Sequence, residues 1–198
     1  MNSVDDEQIH KIVQRVLQQV MGQQAQTPSP TAPSPAPAGA EPAAQKGTRK
    51  VVALGADHGG FELKESLKST LSELGLDVND VGTFSKAAVD YPDYAQEVAK
   101  LVANGKAWRG IMIDGAGIGS CIVANKVPGI RAGMAYDYSS AVNSREHNDT
   151  NVLTLGAGLI GINLARQIVK VWLTTEFGGG RHQARIEKIT AVEKQFLK

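Results

Sequence analysis

The segment Gly110-Ile-Met-Ile113-Asp114-Gly115-Ala116-Gly117-Ile118-Gly119-Ser120 carries a short apolar run into a corner with a glycine at every second position. An apolar run of this length without polar alternation suits a strand buried on both faces, and the glycines let the chain turn sharply into a helix. The same grammar recurs around it. Strand-length apolar runs lie at residues 51–55, 76–81, 110–113, 130–135 and 152–155. Helix-length stretches follow at 61–74, 91–104, 120–126, 138–146 and 160–175, and a last one at 181–197 closes the chain. Five strands alternating with helices predict an α/β, three-layer sandwich around a five-stranded parallel sheet, with ligands bound beyond the carboxyl ends of the strands. No internal repeat is visible.

Ahead of this body the chain changes character. Of 198 residues and eight prolines, six prolines fall between Pro28 and Pro42, and residues 22–49 contain no Val, Ile, Leu, Met, Phe, Tyr or Trp. Such a segment cannot bury enough apolar surface to offset its ordering entropy, so it reads as a disordered linker. Before it, Ile9, Ile12, Val13, Val16, Leu17, Val20 and Met21 repeat at helical spacing, with Ser3 as a cap and Gly22 as a stop. The expected organisation is an amphipathic helix over 1–21, a linker over 22–49 and a catalytic-sized body over 50–198. A net charge of +1 excludes a generally basic nucleic-acid binder. No apolar run reaches the roughly 20 residues of a membrane span. The first residues lack a secretory pattern, and the single cysteine, Cys121, fits a reducing compartment, so a cytoplasmic location is expected.

Candidate chemistry sits at the strand-to-helix corners. In Gly55-Ala-Asp57-His58-Gly59-Gly60, Asp57 and His58 point into the expected crevice, or Asp57 caps the next helix. Gly115, Ala116, Gly117 and Gly119 expose successive amides suited to a phosphate or an enediolate oxygen, although tight helix packing also demands glycine. Asp114 at the strand end is placed to act as a base. Gly156-Ala-Gly158-Leu-Ile-Gly161 matches a dinucleotide fingerprint, but no second strand–helix unit follows it, so close backbone approach is the favoured reading. Arg181 and Arg185, four apart, share a helix face and suit a phosphate dianion, or simply form a solvated basic face. His147 precedes the amino end of the fifth strand, whereas Asp114 ends the third. In a parallel sheet those are opposite edges, so a reaction using both would need two subunits.

Several stretches together resemble the ribose-5-phosphate isomerase B and galactose-6-phosphate isomerase family, from about Lys50 onward. They are Asp57-His-Gly-Gly-Phe-Glu-Leu-Lys64, Val89-Asp-Tyr-Pro-Asp-Tyr94, Gly115-Ala-Gly-Ile-Gly119, Ala124-Asn-Lys-Val-Pro-Gly-Ile-Arg131, Glu146-His-Asn-Asp-Thr-Asn-Val-Leu153 and Gly179-Gly-Arg-His-Gln-Ala-Arg185. The resemblance implies a Rossmann-like fold with flavodoxin-like strand order, and aldose–ketose isomerisation without metal or cofactor. It also implies homodimers, or dimers of dimers, with active sites between subunits. By the same carry-over His147 opens the sugar ring, Gly115–Gly119 form the anion hole, and Asp57, His58 and Asn148 contact substrate. Arg181 and Arg185 grip the phosphate, and Tyr91 lines the pocket. The leading expectation is ribose 5-phosphate to ribulose 5-phosphate, with another sugar phosphate, or a catalytically degenerate sugar-phosphate-binding protein, as alternatives. Three positions depart from the pattern. Asp114 stands where many members have cysteine or serine, Ala116 where threonine is frequent, and Gly158 where arginine is frequent. Cys121 is out of register with the usual catalytic cysteine.

The N-terminal helix and linker lie outside that pattern and resemble the encapsulation peptides that carry enzymes into bacterial microcompartments. The resemblance implies a shell protein as partner for residues 4–21 and a location inside a microcompartment. Oligomerisation, or packing back on the body, are the plainer roles for the same stripe. Its polar face lacks the Lys and Arg run of a membrane-surface helix.

Overall fold

The computed structural model describes residues 49–196, together with Lys11 and Gln14, which are helical and exposed. The expectations for residues 1–21 and 22–48 otherwise lie outside the described residues. The chain divides into two units, Met1–Gln45 and Lys46–Lys198. The second contains every strand among the described residues.

Its elements run β1 (Val51–Ala56), α1 (Phe61–Glu73), β2 (Asp77–Gly82), α2 (Tyr91–Ala103), β3 (Arg109–Asp114), α3 (Ile118–Ala124), β4 (Ala132–Met134), α4 (Tyr138–Glu146), β5 (Val152–Gly156), α5 (Ile162–Thr174) and α6 (Arg181–Phe196). All strand pairs are parallel. Alternation along the strands divides the core into two layers. Val52, Leu54, Ile111, Ile113, Leu153 and Leu155 face α1, α4 and α5, where Leu67, Leu71, Ala141, Ile168 and Trp172 receive them. Ala53, Met112 and Val152 face Ala95, Val98, Ala99 and Val102 of α2 and Ala124 of α3. The three-layer α/β sandwich is therefore as the sequence predicts.

The strand order is β2-β1-β3-β5-β4, which departs from the flavodoxin-like order by exchanging the last two strands. Burial accounts for the exchange. All five residues of β5, Val-Leu-Thr-Leu-Gly, are buried, whereas β4 is three half-buried residues, Ala-Gly-Met. The longer, more apolar strand takes the position covered on both faces, and the short one takes the edge.

Two buried cations tie layers together. Arg109 Nη1 donates to the carbonyls of Trp172 and Leu173, 2.8 and 3.0 Å away, satisfying acceptors at the end of α5. Burial and the nearby Arg145 push its pKa down to about 10, so it stays charged at neutral pH. Lys64 of α1 is fully buried and places Nζ 2.7 and 2.6 Å from the two carboxylate oxygens of Asp80 in β2. Lys68 adds a second contact at 2.7 Å.

Burial raises the Asp80 carboxyl, but donation from Lys64, Lys68 and the Gly82 amide outweighs it and holds the group below its ordinary 3.8. A depressed carboxyl contributes stability that is present above the unfolded value and is lost as pH falls through the folded one. Acid unfolding should therefore steepen below pH 3.8 in the wild type. Asp80→Asn leaves the buried Lys64 with only the half-exposed Glu65 carboxylate, 3.0 Å away, as counter-charge and should cost about 1–3 kcal/mol in urea unfolding at neutral pH. An unchanged midpoint would show that the pair contributes nothing.

Candidate active site

The carboxyl edge of the sheet is built from the corners that follow β1, β3 and β5. Register pairs Ala56 with Ile113 and Asp114 with Gly156, so Asp57, Asp114 and Ala157 emerge side by side. The corners are also bonded to each other. Asp57 N–H donates to the Ile113 carbonyl at 3.1 Å, Ala157 N–H to Asp114 at 2.8 Å, and Gly158 N–H to Gly115 at 2.9 Å. A Cβ on Gly156 would lie 2.6 Å from the Ala116 carbonyl carbon and oxygen. Gly156 and Gly158 of the fingerprint-like run thus serve close backbone approach, whereas a Cβ on Gly161 would meet nothing within 4 Å.

Asp114 is 4% exposed, and its carboxylate occupies the centre of the glycine turn. Oδ1 accepts the Ala116 N–H at 2.8 Å and the Gly117 N–H. Oδ2 accepts the Ser120 N–H at 3.1 Å and the Ser120 hydroxyl at 2.5 Å. Gly117 sits at φ +79°, the left-handed conformation that aims successive amides at one point. The sequence assigns this whole turn to a ligand anion, and the structure revises that. The Ala116 and Gly117 amides are taken by the chain's own carboxylate. The Gly115, Ile118 and Gly119 N–H groups have no acceptor among the described residues and remain for a ligand.

Asp57 is buried, and its Oδ1 accepts the Gly60 N–H at 2.9 Å, a local turn bond ahead of α1. Gly60, not Asp57, is the N-cap of α1 and no side chain caps that helix, so the Asp57 bond belongs to the turn before it. His58 is exposed, with Nδ1 3.1 Å from the Val89 carbonyl in the loop before α2. Tyr91 opens α2 and lays its ring over the glycine turn, since a Cβ on Gly119 would meet Tyr91 Cζ at 2.5 Å. Tyr136, which sequence reasoning passed over, donates its hydroxyl to the Ala116 carbonyl at 3.1 Å.

His147, Asn148, Arg181 and Arg185 assemble elsewhere. His147 caps the C-terminus of α4, five residues before β5. Its Nδ1 lies 2.8 Å from the Asn143 side-chain amide nitrogen. That amide can only donate, so Nδ1 accepts and a neutral ring carries its proton on Nε2. The ring stacks on His182 at 4.1 Å between centroids and 9° between planes. Burial, then the charges of His147, Arg181 and Arg185, hold His182 below its usual 6.5, which keeps it neutral at pH 7. Its Nδ1 is buried without a partner. Arg181 and Arg185 are exposed on the first turn of α6, and neither pairs with a carboxylate among the described residues. Asn143 and His182 went unassigned from sequence, although Asn143 sits at helical spacing from His147 and His182 lies between the two arginines.

The two clusters do not meet within the chain. Gly110 pairs with Val152 and Asp114 with Gly156, so one strand length of about 13 Å separates the β3 carboxyl end from the edge where His147 enters.

Comparison with known proteins places this arrangement. The family described as Ribose/Galactose Isomerase matches residues 52–189. The chain belongs to that family. Ribose-5-phosphate isomerase B of Escherichia coli is 49% identical over 146 residues, 74% of this chain and 98% of that protein. D-erythrulose-4-phosphate isomerase of Pectobacterium atrosepticum is 42% identical over 146 residues, covering 73% and 95%. The solved ribose-5-phosphate isomerase B of Clostridium thermocellum superposes with a TM-score of 0.73 at 46% identity, over 74% of this chain and 99% of that one. Family membership makes the chain an aldose–ketose isomerase, and the matched region is the body that carries both clusters.

The corner packing is directly testable. Gly156→Ala forces a Cβ against backbone and should destabilise by about 1–3 kcal/mol. Gly161→Ala, where a Cβ meets nothing within 4 Å, should leave the thermal midpoint unchanged. Equal midpoints for the two variants would contradict the account of the corner.

Proposed function

We propose that this isomerase interconverts ribose 5-phosphate and ribulose 5-phosphate, with Asp114 as the base and His147 opening the sugar ring. The observation that carries the reading is 49% identity over 98% of the Escherichia coli ribose-5-phosphate isomerase B. Asp114 takes the carbon-bound proton from C2 of the open-chain aldose and returns it to C1. The electron pair moves into the enediolate, whose oxygen is met by the unpaired Gly115, Ile118 and Gly119 amides. His147, with its proton on Nε2, donates to the ring oxygen as the hemiacetal opens. Asp57, His58, Tyr91 and Asn148 line the sugar, and the guanidiniums of Arg181 and Arg185, neither of which meets a carboxylate among the described residues, hold the phosphate.

This assignment uses residues from both edges of the sheet, so we infer that the working unit is a homodimer, alone or as a dimer of dimers. Each site then takes Asp114 from one subunit and His147, Arg181 and Arg185 from the other. Helix α6 suits an intersubunit role, since Ile189, Val192 and Phe196 along it are exposed.

A tetrose phosphate is the second substrate reading, favoured by 42% identity to a D-erythrulose-4-phosphate isomerase and by the two shortened side chains, Ala116 and Gly158. A panel of pentose, tetrose and hexose phosphates decides between them by kcat/KM. Asp114→Asn should lose about 10²–10⁴-fold on the true substrate. His147→Ala should lose activity on a cyclic sugar phosphate while sparing the open-chain tetrose phosphate, which has no ring to open. Full activity of Asp114→Asn would overturn the base. Turnover of no sugar phosphate would favour a degenerate binding protein.

For residues 4–21 we propose docking to a microcompartment shell protein, supported by the apolar helical repeat and the Pro/Ala linker behind it. Deleting residues 1–22 should abolish co-purification with shells and leave kcat/KM unchanged. A fall in kcat/KM would instead assign the segment to oligomerisation.

A further inference from the structure

We propose that Ser120 is a positioning residue that clamps Asp114 in the resting site and releases it for proton transfer. The inference rests on the reading of Asp114 as the base and adds a residue to it. An ionised carboxylate offers about four lone-pair sites. In Asp114 all four are occupied, by the amides of Ala116, Gly117 and Ser120 and by the Ser120 hydroxyl. A base so saturated has no orbital left for a carbon-bound proton, so one donor must let go. The three amides belong to the turn and the first turn of α3 and are fixed by the backbone. The hydroxyl alone can rotate about its Cα–Cβ bond.

Ser120 is fully buried, so the hydroxyl does not exchange Asp114 for water. A helical serine has a second acceptor, the carbonyl three or four residues back, here Gly117 or Ala116. That rotation leaves Oδ2 with one donor fewer and so with capacity to take up the carbon-bound proton. The C2–H bond breaks as the Oδ2–H bond forms, and the electron pair passes to the enediolate. The enediolate passes the proton of its C2 oxygen to the C1 oxygen, the Oδ2–H bond breaks as the C1–H bond forms, and the serine hydroxyl swings back. No oxidant or second reactant is consumed. The clamp also explains why a carboxylate is tolerated here: four neutral donors stabilise its charge without a cation beside the anionic substrate.

The titratable groups around the Asp114 turn are Asp57 at the neighbouring strand end, Cys121 on α3, Tyr91 over Gly119 and Tyr136 on the Ala116 carbonyl, with His58 in the next corner held to Val89. None of them changes in a Ser120 variant. A donor that bonds the charged form lowers a carboxyl's pKa, so removing it raises the pKa. The test is the ¹³C NMR titration of the Asp114 carboxyl in the full chain, identified by its loss in Asp114→Asn, alongside the pH profile of kcat/KM.

Ser120→Ala should move the carboxyl titration up by about one pH unit. The acid limb of kcat/KM should move with it, because the base must be ionised, and Ser120→Thr should restore both. Ser120→Cys, similar in volume and a weak donor, replaces the alanine variant if that does not fold. If the carboxyl moves and the acid limb does not, the clamp stands and Asp114 is not the base. If the carboxyl stays where it is, whatever the limb does, the proposal is overturned.

Discussion

Because β1, β3, β5 and β4 all run in one direction, the Asp114 carboxylate and the His147 imidazole leave the sheet at opposite edges, and no loop in the body brings them together. This polarity constrains everything functional in the molecule. It divides the proposed site residues into an acid–amide half beside Asp57 and Asp114 and an imidazole–guanidinium half beside His147, Arg181 and Arg185. The first is a carboxylate seated in three amides, and the second is a stacked histidine pair oriented by Asn143.

Charge sharpens the division. The carboxyl edge carries two buried acids, Asp57 and Asp114, and places no guanidinium at Gly158. The other edge exposes two arginines, without a carboxylate partner among the described residues, around a histidine kept neutral by burial and its neighbours. An anionic sugar phosphate laid between two such halves would put its reacting carbons against the acids and its phosphate against the arginines. Screening favours this arrangement over the reverse, since the like charges are then a whole sugar apart.

Much of this was legible in the sequence, for identifiable reasons. Apolar runs of strand length and helical repeats placed all eleven elements of the body, because burial on both faces leaves little room for polar residues in β3 and β5. Parallel polarity made the opposite placement of Asp114 and His147 deducible before any coordinates. The order of the last two strands was not deduced, because it depends on the relative burial of Val152–Gly156 and a three-residue β4 rather than on either segment's own pattern. The filled glycine turn was also hidden. Spacing showed that amides converge there, but the competition between a ligand anion and Asp114 for the same donors is decided by side-chain reach. Ser120 escaped notice for the same reason, being six residues from Asp114 and adjacent to it only once the left-handed Gly117 has turned the chain.

The claim that the active site is divided between subunits is tested most directly by complementation. Asp114→Asn and His147→Ala proteins, each inactive on ribose 5-phosphate, are mixed, dissociated and reassembled. Random pairing makes half of the dimers mixed, and each mixed dimer holds one unaltered site, so about a quarter of wild-type activity should return. No recovery from a mixture shown to contain the mixed dimer would mean that Asp114 and His147 do not act in one shared site.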